Sequence, residues 1–149
     1  MIPVTRLLLL LALLSAHVGP LRAAPSEDNY KLSTLKVRKE IVGLISLQMA
    51  AFRSGDLERA YSYSANRFRA QFPLERFVAV VKASYPEVWD NVRAQFGVVR
   101  DDGASAIVTV EVTDKAGDTV NYDYFLLHED TFWHIGGVIR HDPVKAPQA

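Results

Sequence analysis

The sequence predicts an α+β domain in which three N-terminal helices pack on a curved, four-stranded antiparallel sheet. The first observation is a change of rhythm around Tyr85-Pro86-Glu87-Val88: apolar residues recur every three to four positions before it and alternate after it. The second is that two hairpins, registered separately from their turns, agree on which face of the sheet is apolar. A chain that runs helices first and strands last packs one layer on the other.

The N-terminus reads as an address. Arg6 supplies a positive start, residues 7–14 are an unbroken apolar run, and Pro20-Leu21-Arg22-Ala23-Ala24 offers small residues for cleavage. The run is shorter than the roughly 20 residues a membrane-spanning helix needs. Residues 1–23 are therefore expected to be a signal peptide, and the mature chain to be exported to the periplasm or the medium, with no membrane contact after cleavage. Without Arg6 and Arg22 the mature chain keeps 15 of 17 basic side chains against 17 acidic ones. It is slightly acidic and carries no basic block, which speaks against nucleic-acid binding. The absence of cysteine excludes disulfides, a thiolate nucleophile and lipid attachment at a cysteine. About 125 residues remain, one domain's worth, able to bury roughly two-thirds of the unfolded surface.

Residues 24–33 are polar and form a lead; the domain proper is 34–140, and 141–149 is a tail. Ser33 or Thr34 caps a first helix that stops at Gly55. Its inner stripe is Val37, Ile41, Leu44, Ile45, Gln48 and Phe52. Asp56 caps a second helix over 57–64, with Glu58 in its first turn. Residues 66–72 read as irregular or one turn. Pro73 opens a third helix, lined by Leu74, Phe77, Val78 and Val81.

A two-residue loop at Glu129-Asp130 pairs Leu126 with Trp133, Tyr124 with Ile135, Tyr122 with Gly137 and Val120 with Ile139. Opposed residues share a face, so this one is wholly apolar or aromatic. Carried across the loop between Asp114 and Asp118, the register adds Val112, Val110, Val108 and Ala106. A three-residue loop at Asp101-Asp102-Gly103 places Val98, Phe96, Ala94 and Val92 on the same face. A two-residue turn at Asp102-Gly103 would instead turn Arg93 and Gln95 inward, since a slip of one flips every side chain. Arg93 would then be an anion site, and a bulge beside Gly97 leaves that alternative open.

Gln48, Ala51-Phe52-Arg53, Gly55-Asp56, Ala60-Tyr61, Phe72-Pro73, Phe77, Tyr85-Pro86, Val88 and the closing Trp133-His134-Ile135-Gly136-Gly137 fall in a recognisable order and spacing. In these residues the chain resembles a family of short bacterial proteins catalogued as a domain of unknown function. That family is similar in turn to the nuclear-transport-factor-2-like superfamily, which includes ketosteroid isomerases and SnoaL-like polyketide cyclases. The resemblance implies a cone of helices on a curved sheet, a pocket between them, and in many members a dimer through the outer sheet face. Gly136 and Val138 stand where the family often carries an acid and a cysteine, so chemistry that depends on those groups does not carry over. Fold alone does not give function.

Inside the predicted cone, Tyr122 and Tyr124 face inward, Gly137 leaves space opposite Tyr122, and Gln48 interrupts the first helix's apolar stripe. With Arg93 in the alternative register, these are the ligand-pocket candidates; the competing reading is a filled core in which the same groups bond to backbone. An isomerase needs a carboxylate base inside. The later strands place no acid inward, Asp56 is a cap, and Glu58, Glu75 and Glu87 read as ordinary solvated charges. No catalytic residue is assigned.

The outer face carries Ile107, Phe125, Leu127, Phe132, His134 and Val138, with Thr109, Glu111, Asn121 and Asp123 between them. So contiguous an apolar patch points to a homodimer interface. Asp123 falls diagonal to His134, within reach of a polar couple. His128 and His134 lie on opposite faces about 10 Å apart at 3.3 Å per residue, so no metal site is assigned; His141, in the tail, adds nothing firm. No cofactor is expected. Three readings follow: a non-catalytic module holding a small apolar ligand or a protein partner; an isomerase- or cyclase-like enzyme using the same pocket; and a structural envelope protein acting through its outer sheet face.

Overall fold

The computed structural model describes residues 29–142; the signal-peptide reading, half of the lead and most of the tail lie outside them. Helices fill the first half and an antiparallel sheet the second. The elements are β1 (Lys31–Leu32), α1 (Leu35–Ser54), α2 (Leu57–Ser62), α3 (Asn66–Gln71), α4 (Leu74–Ser84), α5 (Pro86–Trp89), β2 (Asn91–Phe96), β3 (Arg100–Asp101), β4 (Ser105–Asp114), β5 (Thr119–Glu129) and β6 (Phe132–Arg140). The sheet has six strands rather than four, because β1 and β3 add two short rungs beyond the expected set. The six-residue α3, where an irregular stretch or one turn was expected, and the single-turn α5 join the expected three.

The helix boundaries follow from their caps. The Thr34 hydroxyl accepts from the Val37 N–H, and α1 ends at Gly55 in a left-handed turn (φ 72°) that glycine adopts without steric cost. The Asp56 carboxylate takes the Arg59 N–H to start α2. Pro86 opens α5, where its missing N–H would have had no helical partner.

Sheet order is β1-β3-β4-β5-β6, with β2 beside β4 along its other stretch. The β4–β5 register is as expected: Val112, Val110, Val108 and Ala106 oppose Val120, Tyr122, Tyr124 and Leu126. These eight inward side chains are at most 4% exposed and meet Ile41, Ile45, Met49 and Phe52 of α1, Phe77 and Val81 of α4, and Val88 of α5. Burial of each large aliphatic side chain stabilises the fold by about 1.5–3 kcal/mol. Asn91 is wholly buried at the meeting of the two layers. Its Nδ2 donates to the Met49 and Val88 carbonyls, and its Oδ1 accepts from Arg53.

Three irregularities correct the expected registers. In β2 the ladder shifts between Asn91 and Arg93, so Ala94 and Phe96 face in while Val92 (52% exposed) and Arg93 face out. The chain shifts again around Gly97, which brings Val99 inside in place of the exposed Val98. In β6 the turn is Asp130-Thr131, and Leu126 opposes Ile135. One extra residue, Gly136, is then passed over, so that Phe125 opposes Gly137, Tyr124 opposes Val138 and Tyr122 opposes Arg140. A bulge of this kind bends its strand and re-aims the side chains beyond it. Val138 and Arg140 therefore turn inward, and Ile139 turns out at 53% exposed.

Candidate functional site

The β6 bulge builds a buried charged cluster where the helical and sheet layers join. Pro86 starts a single helical turn that carries Glu87 inward to 5% exposure. Strand alternation brings Tyr122 to the same place, and the altered phase of β6 brings Arg140. Arg140 grips the carboxylate with both arms, Nη2 to Oε1 at 2.7 Å and Nε to Oε2 at 3.0 Å, and the Tyr122 hydroxyl donates to Oε2 at 2.5 Å. Such bidentate, charge-assisted contacts are among the strongest protein hydrogen bonds. Tyr85 completes the surround: its ring lies 6.1 Å from that of Tyr122 and its hydroxyl donates to the Val138 carbonyl at 3.1 Å.

The electrostatics follow from these partners. Burial opposes the Glu87 charge, but the bonds from Arg140, Tyr122 and its own backbone N–H outweigh it and hold the carboxyl down at about 2. Burial, and then donation to Glu87, pushes the Tyr122 hydroxyl well above its usual range. The pairing with Glu87 likewise raises Arg140. A general base works best with a pKa near the working pH. Glu87 is far below it, with its oxygens engaged by three donors. The cluster is a clamp between α5, β5 and β6, and it is poorly placed to move protons.

Glu87 thus differs from the solvated charge expected of it. The acid missing from the inward strand positions enters from a helix instead. Sequence reasoning assigns none of Glu87, Arg140 and Tyr85 to a site. Gly136-Gly137 inside an otherwise regular strand was the available signal, since glycine in a strand often marks a bulge.

The sequence-predicted pocket residues separate. Gln48 is buried and its Nε2 donates to the Ala60 carbonyl at 3.1 Å. Tyr122 is committed to Glu87. Tyr124 is fully buried with no hydrogen-bond partner on its hydroxyl among the described residues, and burial pushes that hydroxyl up. Gly137 opposes Phe125 and so faces outward, where an added Cβ meets nothing within 4 Å. Arg93 is exposed on the outer side. Two surface depressions are lined by other residues: one of about 320 Å³ by Glu111, Thr119, Asn121, His141 and Asp142, and one of about 440 Å³ at the β1–β3 end. Among the described residues no group of three acids or histidines is placed to hold a metal, and no helix is long and apolar enough to cross a membrane.

On the outer face, Ile107, Phe125 and Leu127 are half-buried, while Phe132 is 71% exposed and Ile139 53%. Val138 leaves this face and Ile139 takes its place, both because of the bulge. The expected Asp123–His134 couple does not form. Asp123 accepts from the Thr109 hydroxyl at 2.6 Å and lies 2.7 Å from Nε2 of His141, which the bulge brings alongside. His134 instead sits 3.5 Å from Glu129, whose carboxylate also receives the Asn66 N–H at the start of α3.

One protein-family model, described as a domain of unknown function (DUF4864), matches residues 34–147. No curated protein and no solved structure matches the chain significantly.

Proposed function

We propose that this chain, which belongs to the domain-of-unknown-function family DUF4864, is an exported, non-catalytic binding domain that pairs with a second copy of itself through the outer face of its sheet. One observation carries the reading: the outer face holds a contiguous apolar band of Ile107, Phe125, Leu127, Phe132 and Ile139, with Phe132 and Ile139 more than half exposed. A soluble monomer seldom leaves such a band in water. The packing of helices on one face of an antiparallel sheet supports a nuclear-transport-factor-2-like architecture, in which the other face is left for a partner. The clamped acid where the layers join favours binding over turnover, because Glu87 is held ionised by Arg140 and Tyr122.

Size-exclusion chromatography of the mature protein beside Phe125→Asp tests this. A dimer that becomes a monomer in the variant is expected; equal elution of the two proteins overturns the reading. A second reading, an apolar ligand held between helices and sheet, is supported by the partnerless Tyr124 hydroxyl. It predicts thermal stabilisation by a small hydroxyl-accepting apolar molecule that is lost in Tyr124→Phe. A screen of such molecules without any shift counts against it.

A further inference from the structure

The part of β6 beyond Ile135 has two ways to lie on β5. The first part is pinned on its free edge, where the Ala65 N–H meets the Ile135 carbonyl and the Ile135 N–H meets the Tyr63 carbonyl, both at 2.8 Å. Were the ladder to continue regularly from Leu126–Ile135, Gly136 would oppose Phe125, Gly137 would oppose Tyr124 and Ile139 would oppose Tyr122. The alternation of Trp133, Ile135, Gly137 and Ile139 favours that regular register, because it buries Ile139 and leaves Arg140 in water. The protein adopts the other one, with Ile139 out and Arg140 in.

The difference between the two registers falls on Glu87. In the regular one its buried carboxylate would face Ile139 and lose its cation, keeping Tyr122 and its own backbone N–H. A buried charge deprived of its cation costs more than exposing one isoleucine. Gly136 makes the bulge sterically accessible: a Cβ there would lie 3.0 Å from Cγ of Leu127. It allows the irregular path without requiring it. The Tyr85 bond to the Val138 carbonyl and the exposed His141–Asp123 pair also belong to the bulged register, the latter as a weak surface contact.

We infer that Glu87 is a register-determining residue. By drawing Arg140 inside it holds the bulge at Gly136, and so decides that the outer face presents apolar Ile139 instead of Val138 and a charged Arg140. Registry is the best-attested use of a buried polar contact. The consequence for partner binding rests on the proposed role of the outer face; the register itself does not.

The chain contains no cysteine, so a single introduced thiol reports its own position. Ile139→Cys should label rapidly and Val138→Cys slowly. Adding Glu87→Leu should slow labelling at position 139 by about tenfold or more and speed it at position 138, since a buried thiol reacts only through local opening. Adding Arg140→Leu to that background should restore fast labelling at position 139, because an apolar residue 140 can remain inside. A folded Glu87→Leu protein whose thiol at position 139 reacts at an unchanged rate overturns the inference and assigns the bulge to the glycines alone. Should Glu87→Leu not fold, Glu87→Gln is read the same way, an unchanged rate at position 139 again overturning it. Labelling in a Phe125→Asp background keeps the outer face uncovered. A protein that never dimerises then removes the proposed function, and the register result still stands.

Discussion

Replacing Glu87 with glutamine keeps the shape of the side chain and removes the charge that Arg140 and Tyr122 grip. The native carboxyl sits at about 2 against an ordinary 4.5, and with only 7% of the side chain exposed there is little solvent screening. By linkage, a depression of that size is equivalent to about 3 kcal/mol of stability at neutral pH. This is a large fraction of the roughly 5–15 kcal/mol that holds a domain together. The sign is fixed by the direction of the shift. Because the folded-state value is depressed, the contribution is complete above about 4.5, shrinks as pH falls, and is gone near 2. Urea unfolding of wild type and Glu87→Gln across this range measures it, with the other carboxylates cancelling in the difference. Wild type should exceed the variant at neutral pH, and the gap should narrow by about 3 kcal/mol by pH 2. A gap that stays constant over this range refutes the clamp as described.

Three further substitutions probe the packing. Asn91→Ala strips a buried amide that joins α1, α5 and β2; a loss of about 2–3 kcal/mol in urea unfolding is expected from its three lost hydrogen bonds and the small cavity left behind. Tyr124→Phe removes a buried hydroxyl that has no partner, so calorimetry should show unchanged or slightly raised stability, by up to about 1 kcal/mol. A large loss there would mean that the hydroxyl is bonded in solution. Gly136→Ala places a methyl 3.0 Å from the Leu127 side chain. It should cost about 1–3 kcal/mol by overpacking, with equal stability showing that the bulge has room to relax.

The helical half was legible because its punctuation is local. Thr34, Gly55 and Asp56 cap or end helices through their own backbones and side chains, and each does so at the expected place. The β4–β5 hairpin was legible for a related reason. Its turn and its two apolar faces give the same answer, and nothing buried competes with them. The end of β6 was misread because the deciding contact is long-range. Glu87 lies 53 residues before Arg140, and the apolar alternation within β6 argues for the opposite phase. A buried ion pair overrode the hydrophobic pattern, and with it went the expected places of Gly137 and Val138; His134 lies before the bulge and opposes Leu127 because the turn falls one residue later than expected. The short β1 and β3 were missed because two-residue strands carry no periodicity. Gln48 and Tyr122 were placed in the interior correctly, but that they are engaged by the Ala60 carbonyl and by Glu87 could be learned only from tertiary contacts.

The claim that the outer sheet face is the working surface is tested most directly by sedimentation equilibrium of residues 24–149 at micromolar concentration. The apolar band from Ile107 to Ile139 predicts a mass twice that of the chain, falling to the monomer value in Phe125→Asp. A wild-type mass that stays monomeric across that range contradicts it.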